Sequence, residues 1–242
     1  MLTAQRKDHL LALLDTDGRV VAKDVAAELG ISEDSVRRDL RELAAAGLCQ
    51  RVYGGALPAS PAARPYEERL DLATESKERV ARQAIRLIRP GSTVILDAGT
   101  TTLAMARLLP AELEVTVITP SPLVAVALAE HPLAEVFLIG GRLSRHSMVT
   151  GGALALEAIR HVRADQFFMG VTGVHPEAGL TTGDLDDAAT KRALAAQASE
   201  TYVLASREKI GVASAFPVIE RDRVAAVIVD PEAPEASVAP TG

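Results

Sequence analysis

The run Ser32-Glu-Asp-Ser-Val-Arg-Arg-Asp-Leu-Arg-Glu-Leu43 admits few structures. Ser32 can cap a helix by accepting backbone N–H bonds from its first turn. Val36, Leu40 and Leu43 recur at helical spacing and form one apolar stripe. At about 100° per residue, Asp34, Arg38, Arg41 and Ala45 fall on the opposite face, with Arg37 on the shoulder. One face therefore needs a small core while the other presents arginines. Such a helix suits a DNA major groove, where a guanidinium pairs bidentately with guanine or clamps a phosphate. The same pattern would also serve as a solvated surface helix. Its neighbours decide between the two.

Upstream, Thr3 to Leu14 reads as a helix with Thr3 as its N-cap, followed by a turn at Asp15–Gly18. Arg19-Val20-Val21 is long enough for a single strand contact. Ala22 to Leu29 forms a second helix, closed by Gly30, and Ile31 plugs the core before Ser32. Downstream, Gly47 breaks the chain, Leu48 to Tyr53 is extended, and Gly54-Gly55 makes a turn, the pattern of a β-wing carrying Arg51. Helix, glycine turn, capped helix and wing is the grammar of a winged helix-turn-helix on double-stranded DNA. The expected DNA-binding set is Ser32, Ser35, Arg37, Arg38, Arg41 and Arg51.

Bulk charge does not supply this reading. The chain carries a net charge of −6, and residues 1–57 hold eight basic and nine acidic side chains. Only from Arg37 to Arg51 do basic residues lead, four to two. Aromatics at 3% disfavour recognition of single strands by base stacking. A single cysteine, Cys49, rules out an internal disulfide and fits a reducing cytoplasm. No apolar run is long enough to span a bilayer, and the N-terminal residues lack a secretory signal, so no membrane partner is expected.

Leu57 to Ala63 is a proline- and alanine-rich break. Beyond it a helix is expected over Lys77–Ile88, and then short apolar runs alternate with helical patterns. Strands are expected at 93–97, 115–119, 135–139, 166–170, 202–205 and 225–230. Helices are expected at 103–109, 123–130, 153–161 and 187–199. This alternation implies an α/β domain with a mostly parallel sheet covered on both faces. The divisions are a head at 3–58, a linker at 59–76, a larger domain at 77–230 and a flexible tail at 231–242.

In open α/β sheets small molecules bind beyond the carboxyl ends of the strands. Asp97-Ala98-Gly99-Thr100-Thr101-Thr102 offers a glycine turn and three hydroxyls at a helix start. Those groups make either a receptor for a phosphate monoester or an ordinary capped turn. Thr119 and Ser121 flank a second such opening. Gly140-Gly141-Arg142 combines close backbone approach with a cation. Segments 170–173 and 179–183 read as hydroxyl-bearing loops. Asp187 and Lys191 stand four apart on one helix, by default a surface ion pair. Lys209 can supply another cation.

Several marks together resemble the DeoR family of bacterial transcriptional repressors. They are Leu-Gly-Ile-Ser at 29–32, Ser-Val-Arg-Arg-Asp-Leu at 35–40, and Gly47-Leu48 followed by Arg-Val-Tyr-Gly-Gly-Ala at 51–56. Ser35 stands where the family usually has threonine, which keeps the hydroxyl. The second domain resembles that family's sensor domain, itself similar to the ribose-5-phosphate isomerase and coenzyme A transferase group. Here the marks are Lys77, the Asp97–Thr102 turn, Gly140-Gly141, Phe168–Gly170 and Lys191-Arg192. The resemblance spans residues 3 to 230. It implies a phosphorylated sugar or related metabolite as effector, with its phosphate against the 99–102 turn. Two departures bear on the ligand. Thr119-Pro120-Ser121 lacks the family's asparagine, and Ser206-Arg207-Glu208-Lys209 keeps only the lysine of the usual Asp-Ser-Ser-Lys.

The expected protein is a repressor whose grip on operator DNA is set by a small anion bound at Asp97, Gly99, Thr100, Thr101, Thr102, Thr119, Ser121, Gly140, Gly141, Arg142, Lys191 and Lys209. A homo-oligomer, dimer or tetramer, follows from paired half-sites. The alternative is a sugar-phosphate isomerase-like enzyme with a DNA head, using Asp97, Asp187 and Lys191 as acid–base groups. No cofactor or metal is expected. The five histidines lack zinc spacing, and the chain has neither a Gly-Lys-Ser/Thr phosphate loop nor a nucleophile elbow.

Overall fold

A computed structural model describes residues 2–233. Most of the tail expected at 231–242 lies outside the described residues. The head comprises α1 (Thr3–Asp17), β1 (Val20–Val21), α2 (Ala22–Leu29), α3 (Glu33–Ala45), β2 (Cys49–Val52) and β3 (Gly55–Pro58). Leu10, Leu14, Val25, Val36, Leu40, Leu43 and Cys49 share its core. Each large apolar side chain buried there contributes roughly 1.5–3 kcal/mol. Ser32 caps α3, its Oγ accepting the Ser35 N–H at 3.3 Å. Thr3 is not a cap: Leu2 takes that position, and α1 runs through Asp17 to a left-handed Gly18.

Two contacts lock the head. Asp39, buried on the core side of α3, accepts both arms of the Arg6 guanidinium from α1. Gly55 lies across from Val21 in the β1–β3 pairing, where a Cβ would stand 1.8 Å from the Val20 carbonyl oxygen. Only glycine lets the wing seat against β1.

After the wing, residues 59–73 form a strap with a tight turn at Pro61–Ala63 and one helical turn, α4 (Tyr66–Arg69). The second domain then runs α5 (Thr74–Ile85), β4 (Thr93–Leu96), α6 (Thr100–Arg107), β5 (Val115–Thr119), α7 (Pro122–Leu128) and β6 (Ala134–Leu138). A hairpin, β7 (Arg142–Ser144) and β8 (Val149–Gly151), leads to α8 (Ala153–Arg160) and β9 (Ala164–Gly170). There follow β10 (Gly173–His175), β11 (Gly179–Thr182), α9 (Leu185–Ala195), β12 (Ala198–Ala205), β13 (Phe216–Pro217) and β14 (Ala226–Val229).

The main sheet has the order β14-β12-β9-β4-β5-β6, and every pair is parallel. Adjacent residues face opposite layers. Val94, Leu96 and Phe168 join the layer under α5, α6 and α7, while Ile95, Phe167 and Met169 join the layer under α8 and α9. From β4 the chain builds outward through β5 and β6, then returns to build the other way through β9, β12 and β14. The boundary between β4 and β9 is therefore the switch point where such sheets open a crevice.

The expected strands and helices are present with shifted ends, and α5 begins three residues before Lys77. Two segments differ in kind. Residues 142–151 form the β7–β8 hairpin, and the expected loops at 170–173 and 179–183 supply β10 and β11, which pair with β13 as a small antiparallel sheet. These short strands hold too few residues to show alternation.

Candidate functional site

Two surfaces carry the chemistry. On the head, α3 and the wing enclose an open cleft of 560 Å³ lined by Asp34, Arg37, Arg38, Arg41, Arg51 and Tyr53. Val36, Leu40 and Leu43 turn inward, so Arg38 and Arg41 are exposed, and neither forms an ion pair among the described residues. Arg37 is held by its own helix, 2.6 Å from Glu33. Ser32 is committed to the cap, and its hydroxyl lies 2.9 Å from that of Ser35. Tyr53, fully exposed at the wing tip, was not singled out from the sequence. Cys49 is buried beneath α3, where burial raises its thiol pKa.

In the second domain a small cavity of 40 Å³ lies at the carboxyl ends of β4 and β9. Gly99, Thr100, Thr101 and Thr102 at the start of α6 line it, with Lys191 and Lys209. Thr101 accepts a hydrogen bond from Lys209 Nζ at 3.1 Å, and Thr102 turns back to the Gly99 carbonyl at 2.9 Å. Asp97 lies just beneath. Its carboxylate accepts the N–H groups of Ala98 and Gly170, each at 2.8 Å, tying the turn after β4 to the end of β9.

Lys191 stands 2.6 Å from Asp97 and 3.0 Å from Asp187, and all three are buried. The expected surface ion pair is instead an interior triad, because α9 packs on β9, β11 and β12 and carries Lys191 inward to Asp97, the residue after β4. Burial alone would lower the Lys191 pKa. The two carboxylates outweigh it and raise the value, so the ammonium stays charged. Burial pushes the Asp97 carboxyl up while Lys191 draws it back. Thr182 donates to Asp187 at 2.6 Å, so the triad is fully braced.

Three further cations face the cavity with no carboxylate within 4.0 Å among the described residues: Arg69, Lys77 and Lys209. Lys77 donates to the Arg69 carbonyl, and Lys209 to the Leu204 carbonyl at 3.3 Å. Arg69 Nε is buried with no hydrogen-bond partner among the described residues, and its guanidinium lies 5.4 Å from the centre of the Tyr66 ring. Burial lowers the pKa of all three, that of Lys209 to about 8. Glu208, whose Oε2 is buried and unpartnered, is the nearby acidic counterweight.

Besides Asp97, which lies beneath it, five of the expected effector residues lie outside this cavity. Thr119 and Ser121 make local bonds, Thr119 Oγ1 accepting the Ser121 N–H and Ser121 Oγ capping α7. Gly140 and Gly141 lead into the β7–β8 hairpin. A Cβ on Gly141 would stand 2.6 Å from the Gly151 carbonyl oxygen, so close packing accounts for that glycine. Arg142 is exposed and pairs with Asp186 at 3.2 Å.

The DeoR-like helix-turn-helix model matches residues 6–61, and the DeoR C-terminal sensor domain model matches residues 72–231. The chain belongs to the DeoR family. It is similar to the HTH-type transcriptional regulator GlpR of Haloferax volcanii, with 35% identity over 87% of this chain and 83% of that one. It is also similar to the glycerol-3-phosphate regulon repressor of Escherichia coli K12, with 32% identity over 87% and 84%. Among solved structures, a ribose 5-phosphate isomerase A from Methanocaldococcus jannaschii aligns at 19% identity and a TM-score of 0.41, covering 55% of this chain and 52% of its own. This DeoR-family chain is a DNA-binding transcriptional regulator, and the relatives it matches along most of its length are regulators rather than enzymes. No helix among its described residues is long and apolar enough to cross a membrane.

Proposed function

We propose that this regulator represses transcription from operator DNA under the control of a phosphorylated sugar or a similar phosphate ester. The observation that carries the effector half is the convergence of Arg69, Lys77 and Lys209 on one cavity beside the amino end of α6. Buried cations lacking carboxylate partners are costly unless an anion completes them. The backbone N–H groups at a helix start add directed donors for phosphate oxygens. Asp187, Asp184 and Thr182, which also line the cavity, suit hydroxyl groups of a sugar. A relative named as a glycerol-3-phosphate regulon repressor is consistent with a phosphate ester as ligand.

On the DNA side, Arg38 and Arg41 on α3 read or clamp the major groove while Arg51 and Tyr53 on the wing lie along the backbone. Two such heads are needed for paired half-sites, so the working form is a symmetric oligomer acting in the cytoplasm. The ligand can shift operator binding only by its different affinity for two arrangements of the protein. The test is a thermal-shift screen of the purified chain against a panel of sugar phosphates and their unphosphorylated parents. Stabilisation by a phosphate ester and not by its parent supports the reading. No response to any phosphate ester at millimolar concentration removes it.

A further inference from the structure

The cavity has 40 Å³ of room for water-sized groups and is partly open to solvent. Its walls differ in how far they can adjust to an anion. The floor is fixed: it consists of strand ends and the braced Asp97–Lys191–Asp187 triad. The roof is the strap, which contributes Ala62, Ala63, Arg69 and Leu72. Among the described residues a handful of bonds hold the strap down. The Tyr66 N–H donates to the His146 carbonyl at 2.9 Å, His146 Nε2 lies 3.0 Å from the Ala63 carbonyl, and the Ser60 hydroxyl donates to the Thr172 carbonyl. Lys77 Nζ donates to the Arg69 carbonyl, and Ala59 bridges to Ala213 at the start of the strap. The strap ends at Ala73, whose φ of 51° is left-handed and uncommon for a residue with a Cβ. At its other end it continues from β3, the inner strand of the wing.

We propose that Arg69 is an effector ligand carried on this strap, and that its capture of the bound anion resets the strap and with it the wing. This rests on the reading of the cavity as a phosphate site. Among the described residues the guanidinium has a buried Nε with no partner, lies against Tyr66 rather than against a carboxylate, and shares the cavity with Lys77 and Lys209. An entering phosphate offers Arg69 two oxygens in a fork it can match. The strap must then be held by the ligand instead of by the His146 contacts. Because β3 leads straight into the strap, occupancy of the pocket reaches the head through the chain itself. The exposed Arg19–Glu177 pair, 2.9 Å apart, is a second bridge between head and sensor and is free to re-form.

The experiment uses the full chain with inorganic phosphate as probe. Titration calorimetry is done on wild type, Arg69→Gln, Arg69→Lys and Lys209→Gln, and hydrogen exchange follows residues 60–72 in wild type. Loss of one charge-assisted contact should weaken phosphate binding by at least about tenfold in Arg69→Gln, with partial recovery in Arg69→Lys. In wild type, phosphate should change exchange of the Tyr66 amide. If Lys209→Gln loses phosphate while Arg69→Gln binds as wild type does, the cavity reading stands and the role of Arg69 falls. If neither variant loses phosphate, both fall. Should Arg69→Gln fail to fold, unchanged Tyr66 exchange in phosphate-saturated wild type still overturns the inference.

Discussion

Lys209 allows the sharpest test, because the same burial that prepares it for an anion should destabilise the empty protein. Its ammonium titrates at about 8 instead of 10.5, chiefly because burial removes it from water. Between those values the unfolded chain holds a proton that the folded chain has released. Stability from this group therefore rises as pH goes from about 8 to 10.5, and below pH 8 the whole penalty is present. At about 1.36 kcal/mol per pH unit, that penalty is about 3 kcal/mol at neutral pH. Lys209→Met removes the charge but also the bonds to Thr101 and the Leu204 carbonyl, worth about 1 kcal/mol each. The ligand-free variant should thus be about 1 kcal/mol more stable than wild type at pH 7. Urea unfolding by far-ultraviolet circular dichroism at pH 7 and 9.5, with and without inorganic phosphate, measures this. Wild type should gain stability with pH and with phosphate, and the variant should gain less of each, since buried Lys77 also titrates below its usual range. A variant less stable than wild type at pH 7, or one that keeps the same rise with pH, would refute the burial reasoning.

Other expectations are simpler. Arg38→Ala should weaken operator binding by about 1–3 kcal/mol if it reads a base, and Arg37→Ala by less, since Glu33 already holds that side chain. An unaltered gel-shift midpoint for Arg38→Ala removes it from the reading set. Gly55→Ala forces a methyl against the Val20 carbonyl, so operator binding should be lost while phosphate binding survives; retained operator affinity contradicts the role given to that contact. Asp97→Asn leaves Lys191 with Asp187 alone and should cost about 3 kcal/mol in urea unfolding; a change under about 1 kcal/mol shows the triad to be slack.

Much of this was legible before any coordinates. The head could be read because each helix sets its apolar residues at helical spacing and Ser32 marks a start that the structure keeps. The parallel strands could be read because burial on both faces leaves continuous apolar runs such as 93–96 and 115–119. Asp187 and Lys191 could not be assigned to the interior, since a pair four residues apart looks the same on a surface and over a strand end. Arg69 gave no signal, because its place depends on how the strap folds back over the sheet. Gly140-Gly141-Arg142 gave a signal of the wrong kind. Its glycines look suited to a ligand, yet the close neighbour of Gly141 is the backbone of β8. Long-range approach of this sort leaves no periodic trace.

The most direct measurement of the central claim is operator affinity by fluorescence anisotropy at fixed salt, with and without the phosphate ester that stabilises the protein best, for wild type and Lys209→Met. A reading head governed by an anion pocket predicts a shift of at least about tenfold in the wild-type midpoint and a smaller one in the variant. A midpoint indifferent to every phosphate ester, or one that shifts equally in both proteins, would contradict it.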